Sequence, residues 1–77
     1  MIYRIEAFDQ KTELLVFEAQ LPGGCDDQIA AVMGWTTEQQ GWEGYDLTSD
    51  QIAALEKLLG RTVFDPTYLF QLSCNVN

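Results

Sequence analysis

The chain has 77 residues, 12 acidic and 4 basic, no histidine and a net charge of −8. That length makes one domain, residues 1–77, which buries only about 60% of its unfolded surface and so has a single thin core. Its 47% apolar content is too rich for disorder, no apolar run approaches the roughly 20 residues of a membrane span, and a field of this sign repels nucleic acid and anionic membranes.

The N-terminus, MIYRIEAFDQ, carries charge early and has no continuous apolar stretch, unlike a secretory signal, so a cytoplasmic protein is the expectation. Ile2 to Phe8 alternates, with Tyr3, Ile5 and Ala7 on one face and Arg4 and Glu6 on the other, which predicts a half-buried strand. Asp9-Gln10-Lys11-Thr12 lacks an Asn-Gly signature and predicts a loop of four or five residues. The next strand, Glu13 to Gln20, is apolar in both phases: Leu15 and Phe17 share one face, Leu14 and Val16 the other. Such a strand is either covered on both sides or leaves its second face open for a partner.

Leu21-Pro22-Gly23-Gly24 ends the hairpin, because proline cannot donate to a ladder and paired glycines weaken any regular element. A short helix follows, with Asp26 as its expected cap, Asp27 favourable near the positive terminus, and Ile29, Val32 and Met33 as its apolar stripe before Gly34. The two aspartates exclude a phosphate-cradling reading of the glycine pair, since an anion site needs a helix terminus free of negative charge. In Trp35 to Tyr45, Thr36 or Thr37 could cap a single helical turn through Gln40, and Trp35, Trp42 and Tyr45 lie beside Glu38, Glu43 and Asp46. Rigid aromatic area among carboxylates suits a cationic partner, whereas a small core could equally claim either tryptophan. Tyr45 and Asp46, next to the following helix, are expected at the surface.

That helix, in Leu47 to Arg61, has the fullest set of local signals. Thr48 and Gln51 form a capping box, Leu47 and Ile52 suit a hydrophobic staple, and Ile52, Leu55 and Leu59 make the apolar stripe. Gly60 provides the left-handed C′ residue. After an Asp65-Pro66 turn, Tyr68, Phe70, Leu72, Cys74 and Val76 alternate with Leu69, Gln71, Ser73 and Asn75, the cleanest strand pattern in the chain. The expected fold is therefore α+β, a small three-stranded antiparallel sheet in β-β-α-α-α-β order with helices packed on one face.

Two cysteines, Cys25 and Cys74, are read as thiols, because oxidised mini-domains of this size usually carry four or more. Metal and cofactor sites are not expected: a zinc site would need two further ligands, and there is no cofactor loop. Without histidine, and without a motif around any Ser or Cys, a catalytic centre is not expected either. Charge points the other way. No basic residue lies between Lys11 and Lys57, while nine acidic ones do. That pattern speeds encounter with a basic protein, although solubility alone can also account for it.

The stretches AFDQKTELLVFEAQLP, GYDLTSDQIAALEKLLG and FDPTYLFQLSC, taken in this order, resemble a family of small bacterial immunity proteins that accompany polymorphic toxins, including those of contact-dependent growth inhibition. The similarity covers most of the chain, through cap, turn and core patterns. The resemblance implies an inhibitor that binds a cognate C-terminal toxin domain, basic and commonly a nuclease, in the cytoplasm of the producing cell. The expected partner-binding surface comprises Asp26, Asp27, Glu38, Glu43 and Asp46, with Trp42 and Tyr45 as anchors. The rival expectation keeps the fold without the toxin: a stand-alone acidic interaction module, or a nucleic-acid mimic that regulates another protein.

Overall fold

The computed structural model describes residues 2–35 and 44–75. The elements, in chain order, are β1 (Ile2–Asp9), β2 (Leu15–Gln20), α1 (Asp26–Met33), β3 (Gly44–Asp46), α2 (Ser49–Leu59) and β4 (Tyr68–Asn75). The sheet is antiparallel with strand order β2-β1-β4-β3. Four strands, and two helices among the described residues, correct the expected three-stranded sheet with three helices. The extra strand, β3, is three residues long and includes Gly44, too short to show any periodicity of its own. It forms because β4 offers a second edge, and the pairing continues one step further as Leu47 N–H donates to Phe70 O at 3.0 Å. The helical turn expected after Thr36 or Thr37 lies outside the described residues.

The alternation of β1 and β4 builds the core. Tyr3, Ile5 and Ala7 face the same side as Phe70, Leu72 and Cys74, and Ile29 of α1 with Ile52 and Leu55 of α2 close over them. Ile5, Ile29, Leu55 and Leu72 are completely shut off from solvent. Burying each of these side chains fully is worth roughly 1.5–3 kcal/mol, which is how so short a chain holds together. None of the described residues buried in this core is polar or charged.

Both helices stop at glycine. At α1, Gly34 has φ 71°, its N–H donates to Ala31 O at 3.3 Å and Trp35 N–H donates to Ala30 O at 3.0 Å, the two bonds of a Schellman ending. At α2, Gly60 has φ 83° and donates to Glu56 O at 2.8 Å. The α2 entry is the predicted capping box: Gln51 N–H donates to Thr48 Oγ1 at 3.2 Å, and Thr48 N–H donates to Gln51 Oε1 at 2.9 Å. α1 differs from expectation at its start. Cys25 is the cap residue, without a side-chain capping bond, and Asp26 and Asp27 occupy the first turn instead.

A β-bulge separates the two ends of the hairpin. Ala7 pairs with Phe17 but Phe8 pairs with Leu15, leaving Val16 as the surplus residue. Phe17 therefore shares the helix-covered face with Ala7, and Leu15 shares the opposite face with Phe8. This corrects the simple alternation that put Leu15 and Phe17 on one side. The loop before it is the expected length. Asp9 N–H donates to Leu14 O at 3.0 Å, and Glu13, at φ 61°, returns an N–H to Asp9 O at 2.8 Å.

Candidate protein-binding face

Period two gives every strand of this sheet a second set of side chains, and no described helix covers them. Across this outer face the register sets three rows. One is Gln20, Arg4, Ser73 and Gly44. The next, about 6.6 Å along the strands, is Glu18, Glu6, Gln71 and Asp46. The third is Leu15, Phe8 and Leu69. The face thus passes from polar, through acidic, to apolar within two steps.

The apolar end is open to solvent. Leu69 is 54% exposed, Leu15 48%, and Leu14 and Val16, brought out by the loop and the bulge, 67% and 44%. Single exposed leucines are ordinary, but Leu15 of β2 and Leu69 of β4 flank Phe8 of the strand between them in one row, the kind of apolar surface that marks an interaction site. A hollow of about 570 Å³ opens beside this patch. Phe8, Leu47 and Leu69 give it apolar walls, while Glu13, Asp46 and Gln71 give it polar ones. Gln71 Nε2 donates to Asp46 Oδ1 at 3.1 Å, which orients that carboxylate and occupies only part of its acceptor capacity.

The acidic row stores a small strain. Glu6 and Glu18 are direct cross-strand partners, and like charges directly opposite one another destabilise a sheet. Other carboxylates serve the fold. Glu56 accepts from Val63 N–H at 2.6 Å and Phe64 N–H at 3.0 Å, fastening the segment after α2. Asp65 accepts from Thr67 Oγ1 at 2.6 Å and Thr67 N–H at 2.8 Å, and these bonds, the hydroxyl's first, hold it below the ordinary carboxylate pKa. Asp9 is lowered in the same way by the N–H groups of Thr12 and Lys11.

The residues expected from sequence to bind a partner are distributed as follows. Asp26 and Asp27 are exposed in the first turn of α1, and Asp46 is exposed on the outer face of β3. Tyr45 is half-buried on the other side of the same strand: it pairs with Leu72, and its ring lies 5.0 Å from that of Trp35. Consecutive strand residues point to opposite faces, so Tyr45 and Asp46 cannot anchor one planar contact together. Tyr45 is also not the surface residue expected before the Thr48 cap. Trp35 packs at 6.1 Å from Tyr3 as well, which ties it to the core. Glu38, Trp42 and Glu43 lie outside the described residues.

Phe8, Leu69, Glu6, Glu13 and Glu18 are the outer-face residues that sequence reasoning did not gather into a site. The signal for them was the doubly apolar phase of Glu13 to Gln20, one reading of which left a strand face open for a partner. Cys25 is half-buried and Cys74 buried, and among the described residues no group of three or more His, Cys, Asp or Glu is placed to hold a metal ion. No described helix is long and apolar enough to cross a membrane.

No functionally curated protein matches the sequence. A family model matches residues 2–73, a span that takes in both helices, all of β1, β2 and β3, and most of β4. On that match the chain belongs to the DUF7683 family, a domain of unknown function.

Proposed function

We propose that the protein is a binding protein, not an enzyme, that neutralises a basic partner domain in the cytoplasm, in the manner of an immunity protein acting on its cognate toxin. The observation that carries this reading is the outer sheet face, where an exposed apolar row lies directly beside a row of carboxylates in a chain of net charge −8. Apolar area supplies contact energy, and the acidic row supplies attraction and selection for a cationic surface. The toxin as partner is supported by the sequence resemblance, and a nuclease toxin, whose cleft is made to hold a polyanion, is the partner a protein of this charge would suit.

Gene context and a rescue assay test the reading. The gene should lie directly downstream of a large toxin gene, and the purified C-terminal domain of that toxin should form a complex with this chain whose association slows as salt rises. Co-expression should restore growth to cells producing the toxin domain. A toxin domain that neither binds the chain nor is neutralised by it would overturn the assignment.

A further inference from the structure

Resting on the binding reading above, we propose that the outer face docks a basic amphipathic segment of the partner protein. An arginine or lysine of that segment enters the hollow between Phe8, Leu69, Glu13 and Asp46, and its apolar side chains cover Leu14, Leu15 and Val16.

The hollow has the chemistry of a long cationic side chain. Phe8 and Leu69 offer apolar surface along which a methylene stem or a guanidinium plane can lie. Glu13, from the β1–β2 loop, and Asp46, from β3, bring carboxylates to it from separate elements, and none of the described residues lining it is basic. Gln71 already holds Asp46 from one side, so the carboxylate is oriented before a partner arrives. Further along the row that holds Asp46 and Gln71, the opposed Glu6 and Glu18 would be relieved by a second cation of the same segment. The spacing of the rows therefore asks for cationic and apolar side chains about 6.6 Å apart, the distance between alternate residues of an extended strand. A second copy of this chain would bring the same acidic row and another net charge of −8 to the contact, so charge selects against it.

The test titrates the ¹⁵N-labelled protein with a short capped peptide of Leu-Ser-Arg-Ser repeats, whose leucines and arginines share one face of an extended strand, and in parallel with one that has glutamate in place of arginine. Amide shifts confined to the hollow (Phe8, Glu13, Asp46, Leu69 and Gln71), to Leu14, Leu15 and Val16, and to Glu6 and Glu18, with the arginine peptide only, are expected. Asp46→Asn and Glu13→Gln should each weaken binding roughly fivefold, and Leu69→Ser should do the same through lost apolar contact, whereas Asp50→Asn, an equal loss of charge on α2, should change it less than about twofold. Thermal melts of each variant separate lost binding from lost folding. Shifts at other residues, no shifts, or equal weakening by Asp46→Asn and Asp50→Asn would overturn the docking site. So would a dimer that forms on concentration through these same amides, because it assigns the face to a second copy. A cognate toxin domain bound equally by wild type, Asp46→Asn and Leu69→Ser would leave the immunity reading standing and overturn this face; peptide binding at the hollow in a chain that neutralises no toxin would do the reverse.

Discussion

The two faces of one sheet are made from alternate residues of the same strands, yet they have opposite fates. Tyr3, Ile5 and Ala7 lie under the helices with Phe70, Leu72 and Cys74, while Arg4, Glu6 and Phe8 lie on the other side with Leu69, Gln71 and Ser73. The inner side is apolar and closed; the outer side is graded, from the solvent-shielded hydroxyl of Ser73 to the exposed Leu15 and Leu69. The closed core and the outer surface are therefore separable by parity along a strand, and substitutions one residue apart should report on different properties.

The largest expected effect tests that separation directly. Leu72→Ala, on the closed side, should cost about 2–5 kcal/mol in urea unfolding, whereas Leu69→Ala, on the open side, should stay within about 0.5 kcal/mol of wild type. Comparable losses for the two would break the comparison. Next, Thr48→Ala should cost about 1 kcal/mol in the same measurement, because it opens the capping box that positions α2 over the inner face. A smaller effect of opposite sign belongs to the open side. Glu18→Gln should stabilise the fold by about 0.3 kcal/mol, with the gain shrinking as salt is added, since it removes one of two opposed charges. If Glu18→Gln were destabilising, the acidic row would be a structural feature and not a strain kept for a partner.

Acid should touch the turns more weakly still. Asp9 and Asp65 titrate below their ordinary value in the folded protein, so their contribution is complete above the unfolded-state value and fades as pH falls through the folded one. Melting of wild type and of an Asp9→Asn, Asp65→Asn double variant should therefore converge below roughly pH 4. A gap that stays constant with pH would mean that the turns do not depend on the charge of these groups.

What could be read from sequence was whatever is encoded locally. The α2 capping box, the left-handed Gly60 and the alternation of β1 and β4 each lie within a few residues of chain, and each is found where it was read. What could not be read depends on residues far apart. β3 exists only because β4 accepts it across the sheet, and no three-residue stretch announces such a pairing. The bulge at Val16 is fixed by the register against β1, so the side taken by Leu15 was not visible in the alternation of β2 alone. The same limit applied to the site. Tyr45 and Asp46 were grouped because they are neighbours in sequence, whereas the fold groups Asp46 with Glu13 and Phe8, residues of the first hairpin. Cys25 rather than Asp26 caps α1, a displacement of one residue that left the acidic first turn intact.

The pairing of β1 with β4, from Ile2 opposite Asn75 to Asp9 opposite Tyr68, joins the earliest and latest strands of the chain in the middle of the sheet. A nascent chain leaving the ribosome accordingly holds both described helices before it can lay down the seam to which the sheet is stitched, and it must wait for β4 to do so. Such a long-range seam slows folding, and a cut anywhere between β1 and β4 leaves each of these strands without its partner.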